Sequence, residues 1–217
     1  MKRVRVKICG ISRVADLDAA VDAGADAVGF VVDVPESPRS VSIARAHELI
    51  DATPPFVQSV VVSVFQTVSH LRTLCALAPG AVQLAGPLPR YDIIADRVRG
   101  THVIRVIPVN DHGISAAALS ASSRFDAVLT DSHAGNAHGG TGRPHNWAVS
   151  QSIRERIAPT PLILAGGLTP ANVKAAIATV GPYAVDVSSG VETSPGIKDH
   201  AKIQSFVHAV MEAASEL

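Results

Sequence analysis

The sequence has no excess of charge of either sign. Its 217 residues include 19 lysines and arginines and 19 aspartates and glutamates, so the formal net charge at pH 7 is zero. A chain without a net positive field has no general attraction for nucleic acid or for an anionic membrane. We therefore expect neither of these partners, and leave open only a small local patch of charge.

Cysteines and long apolar runs are also scarce. Cys9 and Cys75 are the two cysteines, and two in a chain of this length do not make a disulfide framework, so we expect free thiols. Charged residues interrupt residues 1–7 before any apolar run long enough for a signal peptide. No later run approaches the roughly 20 apolar residues of a membrane span. These absences predict a cytoplasmic protein.

Short β-rich runs recur along the chain, which is 47% hydrophobic and can therefore bury a large core. Eight strands, apolar enough to be covered on both faces, favour a closed parallel barrel over an open sheet, which usually has fewer strands. No linker or longer repeat divides the chain. The sequence predicts the α/β class, with residues 1–217 forming a single (β/α)8 TIM barrel domain. The predicted strands are Val4–Ile8, Ala27–Val32, Phe56–Val64, Ala81–Leu84, Thr101–Val109, Ala127–Asp131, Leu162–Ala165 and Tyr183–Ser188.

Helical patterns follow these strands. Ser12, Ser42 and Thr169 are expected to cap helices, because their side-chain oxygens can accept from the free N–H groups of a first turn. Pro170 fits the first helical position after Thr169. The predicted helices run from Ser12 to about Ala23, from Ser42 through Ala52, from about Val68 to Ala78, near Tyr91–Val98, around Ile114–Ser122, and from about Ala148, Thr169 and Asp199.

Glycine-bearing turns follow the last three predicted strands. Glycine lets the backbone approach an anion, and a helix N-terminus behind it supplies unpaired N–H groups. In a (β/α)8 barrel, phosphate commonly binds at the loops after strands seven and eight. The predicted phosphate-binding residues are therefore Gly166, Gly167, Ser189 and Gly190. The turn after strand six, Gly139-Gly140-Thr141-Gly142, is expected to cover the neighbouring Asp131 and to lend only backbone support.

Strand alternation indicates which side chains reach the barrel mouth. If Val4, Val6 and Ile8 face the helices, then Arg5, Lys7 and Cys9 face the interior. Cys9 is then either a nucleophile or general base, or a small buried apolar residue.

A second set of inward side chains lies on later strands. Asp131 ends the sixth strand, where a carboxylate is costly unless it is paired or functional; a helix-cap or loop-anchoring role is the alternative. Asp186 shares the inward parity of Lys7, and a buried salt bridge between these two is expected rather than a direct chemical role.

Other reactive side chains carry weaker signals. Arg39 lies in the loop after strand two. It is either a solvated arginine or a guanidinium group that binds a substrate carboxylate through two hydrogen bonds. Cys75 follows helical spacing and is expected to fill core. His133, His138 and His145 cluster after strand six, but their spacing matches no metal motif, so no metal site is predicted.

Several motifs occur in one order and together resemble the phosphoribosylanthranilate isomerase family over nearly the whole chain. A cysteine after strand one combined with an aspartate and GGTG after strand six is the specific part. The motifs are Lys7-Ile-Cys-Gly-Ile11, Gly29-Phe30 with Ser37-Pro-Arg39, Val82-Gln-Leu84, Asp131 with Gly139-Gly-Thr-Gly142 and Trp147, Ala165-Gly-Gly-Leu168, and Asp186-Val-Ser-Ser-Gly-Val-Glu192.

The resemblance implies a cofactor-free Amadori rearrangement in tryptophan biosynthesis. The substrate would be N-(5-phosphoribosyl)anthranilate and the product 1-(2-carboxyphenylamino)-1-deoxyribulose 5-phosphate. It implies that Asp131 is the general acid that opens the ribose ring, that Cys9 is the general base at C2 of the sugar, and that Arg39 binds the anthranilate carboxylate. A thiol is a poor base near its ordinary pKa of about 8.5, so we expect Lys7 to lower the pKa of Cys9.

Three positions depart from the family pattern. Ala85 stands where the family usually has histidine, Ser40 where a tyrosine often follows the arginine, and Asn146 where an aspartate precedes the tryptophan. Two other functions stay open. One is another phosphosugar barrel enzyme, of the ribulose-phosphate epimerase or indole-glycerol-phosphate synthase type, and the other is a sugar-phosphate-binding regulator without activity. The sequence leaves the choice between monomer and homodimer open.

Overall fold

Eight parallel strands close into a barrel in the computed structural model, which describes residues 3–87, 100–109, 124–132 and 145–215. The strands follow one another round the ring in the order β1-β9-β8-β7-β6-β5-β4-β2, and β1 pairs with β2 to close it. The predicted (β/α)8 barrel is confirmed. The barrel strands are β1 (Arg5–Cys9), β2 (Ala27–Val32), β4 (Gln58–Val64), β5 (Ala81–Ala85), β6 (His102–Pro108), β7 (Ala127–Asp131), β8 (Leu162–Leu164) and β9 (Ala184–Val187).

Three short strands lie outside the ring. The strand β3 (Ser40–Val41) pairs with β2, and β10 (Glu192–Ser194) forms an antiparallel hairpin with β11 (Ile197–Lys198). The helices of the described residues are α1 (Val14–Asp22), α2 (Ile43–Asp51), α3 (Val68–Ala76), α4 (Trp147–Ile157), α5 (Val173–Val180) and α6 (His200–Ser215). No helix among them is long and apolar enough to cross a membrane. The predicted helices near Tyr91–Val98 and Ile114–Ser122 lie outside the described residues.

The third barrel strand starts later than predicted. Phe56 was expected in the strand but is 99% exposed. Val57 N donates to the carbonyl of Pro54 at 3.0 Å, which closes a turn, so ladder pairing begins only where Gln58 meets Ala27. The apolar character of Phe56 alone does not place it in the sheet.

Two predicted helix caps are wrong and one is confirmed. Ser42 Oγ accepts from Arg45 N at 3.2 Å and caps α2 as expected. Ser12 instead donates to the carbonyl of Gly196, at 3.3 Å. Helix α5 starts at Val173 rather than near Thr169, because Asn172 Oδ1 accepts from Thr169 N at 2.8 Å and holds that segment as a separate turn.

Apolar side chains form two main layers. The barrel interior is filled by a smaller set, and a larger set lies between the strands and the helices. The interior set is Val60, Ala81, Ile104, Ala127, Leu129, Ile163, Ala165 and Ala184. The outer layer includes Val4, Val6, Ile8, Val28, Phe30, Leu17, Ile177 and Phe206.

The alternation predicted for the first strand is confirmed for Lys7 and Cys9, which are buried on the opposite face of β1 from the outer layer. Arg5 was expected to face the interior and is instead exposed, with its guanidinium 4.2 Å from the centre of the Tyr183 ring. The strand begins at Arg5, so this side chain lies at the open rim of the barrel.

Asp16 connects helix α1 to the C-terminal part of the chain. Its side chain is fully buried, and it accepts from Arg13 Nε at 2.9 Å and Nη2 at 2.7 Å. His200 Nε2 lies 2.9 Å from its Oδ1, and the amide of Lys198 lies 3.4 Å from its Oδ2. Burial alone would raise the pKa of Asp16, but these hydrogen bonds hold that pKa below its usual value.

Replacing Asp16 with alanine should lower the free energy of unfolding at neutral pH by about 2 kcal/mol, because a hydrogen-bonded buried charge is lost. The folded-state pKa of Asp16 is depressed, so its contribution is present above the unfolded pKa of about 3.9 and is lost as the pH falls through the folded pKa. Urea unfolding at neutral and acid pH measures both effects. The exposed Asp18, on the same helix, provides the control Asp18→Ala. Equal stability of the two variants at neutral pH would contradict this role of Asp16.

Candidate active site

A pocket opens at the C-terminal ends of the strands, where a (β/α)8 barrel builds its active site. Most of the predicted site residues that the structure describes line it, namely Arg39, Asp131, Gly166, Gly167, Asp186 and Gly190. Ser189 lines it as well. The predicted covering turn, Gly139–Gly142, lies outside the described residues.

Cys9 is the last residue of β1 and is a free thiol, 6% exposed. Its neighbour in the ladder is Gly29, on β2. A Cβ atom at Gly29 would lie 2.9 Å from Cys9 Sγ and 3.0 Å from Lys7 Nζ. The absence of a side chain at this position therefore leaves the space that the thiol and the ammonium group occupy.

Lys7 and Asp186 form the predicted buried ion pair, with 2.8 Å between Nζ and Oδ1. They are partners in the β1–β9 ladder, so the register of the sheet brings them together. Burial opposes the charged form of Lys7, but Asp186 and Cys9 outweigh it and raise the Lys7 pKa. Burial also raises the pKa of Asp186, with Lys7 opposing and the charge of Asp131 adding to it. A carboxylate at 2.8 Å favours the ammonium form of Lys7.

Lys7 lowers the pKa of Cys9, as expected, but it does not set the net direction of the shift. Burial raises the pKa of the Cys9 thiol, and this effect exceeds the opposing attraction of Lys7. The physical reason is that Asp186 neutralises much of the charge of Lys7 and itself repels a thiolate. Burial therefore favours the neutral thiol of Cys9 over the thiolate.

Asp131 ends β7 on the same side of the barrel as Cys9, since all eight strands are parallel. The strands β9 and β8 lie between β1 and β7. Its strand end is held by a buried chain of hydroxyls, in which Ser150 Oγ donates to Thr130 Oγ1 at 3.0 Å and lies 2.6 Å from His145 Nε2. These hydrogen bonds therefore fix the strand end that places Asp131 at the mouth of the barrel.

Arg39 is not the solvated loop arginine that the sequence left open. It is 8% exposed, and its Nε and Nη2 atoms bind the two carboxylate oxygens of Glu192 at 2.8 and 2.6 Å. One edge of the guanidinium is therefore used within the protein. The Nη1 group makes no hydrogen bond to the residues that the structure describes, and Arg39 still lines the pocket.

Glu192 and Lys198 carry no functional signal in the sequence pattern, although Glu192 binds Arg39 and Lys198 binds Ser188 at this site. Glu192 ends the glycine motif that begins at Asp186, and Lys198 Nζ binds its Oε1 at 2.8 Å. Both residues lie on the β10–β11 hairpin, outside the predicted strands, so strand alternation could not place them. Burial would raise the pKa of Glu192, but Arg39 and Lys198 together hold it below its usual value.

The two turns predicted to bind phosphate lie against each other. Gly166 and Gly167 have φ angles of +88° and +66°, which favour glycine. A Cβ atom at Gly190 would lie 1.9 Å from the carbonyl oxygen of Leu168, so the turn after β9 packs on the turn after β8 without room for a side chain. This arrangement leaves backbone of both turns at the pocket wall.

The positions that depart from the family pattern have structural contacts. Ser40 Oγ accepts from Val34 N at 3.0 Å and steadies the loop that carries Arg39. Asn146 Oδ1 accepts from Ala148 N at 3.1 Å and caps α4. Ala85 ends β5, where it pairs with Val64.

Metal-binding side chains do not converge in the described ranges: no group of three or more histidine, cysteine, aspartate or glutamate residues there could hold an ion. His145 is engaged with Ser150, and His133 and His138 lie outside the described residues.

Comparison with known sequences gives one consistent result. A sequence profile described as PRAI, N-(5'-phosphoribosyl)anthranilate (PRA) isomerase, matches residues 6–209. The N-(5'-phosphoribosyl)anthranilate isomerase of Halobacterium salinarum is 50% identical over 208 residues, which are 94% of each chain. The protein of the same name from Pseudomonas fluorescens is 44% identical over 214 residues, 97% of this chain and 100% of the relative.

Solved structures agree with the sequence relatives. The crystal structure of phosphoribosyl anthranilate isomerase from Thermotoga maritima superposes with a TM-score of 0.86 at 37% identity, covering 96% of this chain and 99% of that one. A structure of such an isomerase in complex with reduced 1-(o-carboxyphenylamino)-1-deoxyribulose 5-phosphate gives a TM-score of 0.82 at 36% identity, with the same coverage.

Proposed function

Because the chain belongs to the N-(5'-phosphoribosyl)anthranilate isomerase family, we propose that Cys9 and Asp131 carry the proton transfers of the family's reaction. The protein is an isomerase of tryptophan biosynthesis, which converts N-(5'-phosphoribosyl)anthranilate into 1-(2-carboxyphenylamino)-1-deoxyribulose 5-phosphate. The observation that carries the assignment is the placement of one thiol and one carboxyl group at the ends of two parallel strands, β1 and β7, at one mouth of the barrel.

Ring opening is the first step, and we assign it to Asp131. The carboxyl group gives a proton to the furanose oxygen while the bond between that oxygen and C1 breaks. The lone pair of the anthranilate nitrogen forms the C=N bond of a Schiff base. Asp131 lines the pocket in which the substrate would bind.

Proton removal from C2 of the sugar is the second step, and we assign it to the thiolate of Cys9. The electrons of the C2–H bond form a C1=C2 bond, and those of the C=N bond return to nitrogen, which gives an enolamine. The final tautomerisation adds one proton at C1 and removes one from the C2 hydroxyl, so both side chains recover their starting protonation. An acid and a base of different chemical type suit this division of work.

The two ends of the substrate need separate anchors. We assign the phosphate group to the turns at Gly166-Gly167 and Ser189-Gly190, where glycine permits close approach of backbone N–H groups. We assign the anthranilate carboxylate to the Nη1 side of Arg39, whose other edge Glu192 holds in place. Covering of Asp131 by Gly139–Gly142 stays a prediction.

Because the chain belongs to the isomerase family, the isomerase function is preferred to the three alternatives that the sequence left open, an epimerase, a synthase and a regulator without activity. A phosphosugar as small-molecule partner is supported by the relative that was solved with a reduced deoxyribulose phosphate. The Thermotoga maritima enzyme is described as dimeric, and for this chain the choice between monomer and homodimer stays open. The cytoplasmic location, the single domain over residues 1–217 and the absence of a nucleic-acid partner stay predictions.

Loss of anthranilate fluorescence tests the function in the purified protein. Phosphoribosylanthranilate should be consumed far faster with the protein than without it, and addition of a chelator should leave the rate unchanged, because no step above uses a metal. Consumption at the uncatalysed rate would contradict the function. Loss of activity with chelator would contradict the acid–base mechanism.

A further inference from the structure

The steps above make no use of Lys198, although its ammonium group lies inside the site. The side chain is 0% exposed. Its Nζ donates to Glu192 Oε1 at 2.8 Å, to the carbonyl oxygen of Ser188 at 3.2 Å and to Ser188 Oγ at 3.4 Å. Burying a lysine side chain costs folding free energy unless the ammonium group is paired. The burial of Lys198 therefore calls for a functional explanation.

Glu192 is shared between Lys198 and Arg39. Its Oε2 faces Arg39 Nη2 at 2.6 Å, while its Oε1 accepts from both Arg39 Nε and Lys198 Nζ at 2.8 Å. Two cations therefore meet one carboxylate, and one positive charge in this group is left without a carboxylate partner among the described residues.

This extra charge lies close to the proposed base. A Cβ atom at Gly10 would lie 3.0 Å from Ser188 Oγ, so the hydroxyl that Lys198 binds lies beside the residue that follows Cys9. The buried charged groups near the thiol are Lys7, Lys198, Arg39, Asp186 and Glu192, three cations against two carboxylates. A Cys9 thiolate makes this group of five neutral, and Asp131, the proposed acid, faces the same pocket.

We propose that Lys198 is a positioning residue for the isomerisation, whose buried charge behind Ser188 and Gly10 favours the thiolate form of Cys9. The proposal rests on the assignment of Cys9 as the general base and adds the group that makes this base available. Lys7 also favours the thiolate, but Asp186 opposes it at 2.8 Å from Lys7, so this pair supplies only part of that charge. Lys198 is paired only in part, since Glu192 also neutralises Arg39.

The electrostatics of the two groups agree with this placement. Burial raises the pKa of Cys9, Lys7 opposes and Asp186 adds to the increase, and Lys198 is a further group that lowers it. Burial lowers the pKa of Lys198, while Glu192 and Cys9 oppose that change and favour the ammonium. The attraction between Lys198 and a Cys9 thiolate is therefore mutual.

The test is a pH titration of Cys9, followed by NMR of carbon-13-labelled cysteine. The protein carries Cys75→Ser, so that Cys9 gives the only cysteine signal. Lys198→Gln keeps hydrogen-bonding groups but removes the charge, and it should raise the Cys9 midpoint by about one pH unit. Lys198→Arg restores the charge and should restore the midpoint. The control is Lys202→Met, which removes an equal charge from a half-exposed side chain that binds the backbone carbonyl of Glu192, and it should leave the midpoint unchanged.

Turnover gives a second readout. The kcat of Lys198→Gln should fall about tenfold at neutral pH, with part of the loss recovered as the pH rises, because the thiolate fraction falls tenfold per unit of pKa. An unchanged midpoint in the folded variant, or an equal loss of kcat at every pH, would overturn the proposal. If Lys198→Gln does not fold, Lys198→Met is measured in the same way. The NMR midpoint does not depend on catalysis, so normal turnover in Cys9→Ser would reject the assignment of the base independently of this result.

Discussion

Replacement of Cys9 by serine should lower kcat about 1,000-fold while KM changes little, which is the size of effect expected when a general base is removed. A serine hydroxyl fills nearly the same space but does not ionise in the neutral range, so proton removal from C2 loses its base. The thiol is buried beside Lys7 and Asp186 and is not assigned to either substrate anchor, so binding should persist.

The matched control for this variant is Cys75→Ser. Cys75 is a free thiol on α3 and packs beside Leu71 and Val82, away from the mouth of the barrel. Its replacement should leave kcat within the range of the unmodified protein. A kcat for folded Cys9→Ser that matches that of Cys75→Ser would reject Cys9 as the base.

Replacement of Asp131 by asparagine should also lower kcat about 1,000-fold, because the amide has nearly the same shape but cannot protonate the ring oxygen. The strand end is held by Thr130 and the hydroxyl of Ser150, so the local structure should survive. Substrate binding measured by fluorescence titration is expected to change little.

The control for the acid lies next to the same strand. Asp126 precedes β7 at the opposite end of the barrel, and its Oδ2 accepts from Val103 N at 2.7 Å. Asp126→Asn changes the same chemical group at a distance from the mouth of the barrel. The folded Asp126→Asn protein should therefore have an unchanged kcat. Equal turnover in Asp126→Asn and Asp131→Asn would show that Asp131 is not the acid.

The inward placement of Lys7, Cys9 and Asp186 could be predicted because strand alternation is a local property of the backbone. The register between β1 and β9 brings Lys7 and Asp186 together as an ion pair, as expected for two side chains that both point into the barrel. The two glycine turns that are proposed to bind phosphate could be placed at the pocket because a (β/α)8 barrel gives every strand end the same position relative to the mouth. These parts of the site follow from pattern and fold together.

The contact between Arg39 and Glu192 could not be predicted in this way. The two residues are 153 positions apart in the sequence. Their contact depends on the β10–β11 hairpin, which the hydrophobic pattern of the sequence does not predict. The start of α5 could not be predicted either, because Asn172 Oδ1 accepts from Thr169 N and holds residues 169–172 as a turn ahead of the helix.

The net direction of the Cys9 pKa shift could not be predicted for a different reason. The net shift is a balance of opposing effects, of which the burial of the thiolate is the largest and the attraction of Lys7 is the next. Sequence shows that both effects exist, but their balance depends on how much of the Lys7 charge Asp186 cancels at 2.8 Å. Only the three-dimensional arrangement fixes that balance.

The most direct test of the two assigned roles uses a substrate that carries deuterium at C2 of its sugar. Cys9 is assigned to the removal of that atom, so Cys9→Ser should make this step limiting and show a several-fold isotope effect. Asp131 is assigned to the earlier ring opening, so Asp131→Asn should consume the deuterated and ordinary substrates at nearly equal rates. The reverse pattern, or equal isotope effects in the two variants, would contradict the division of work between Cys9 and Asp131.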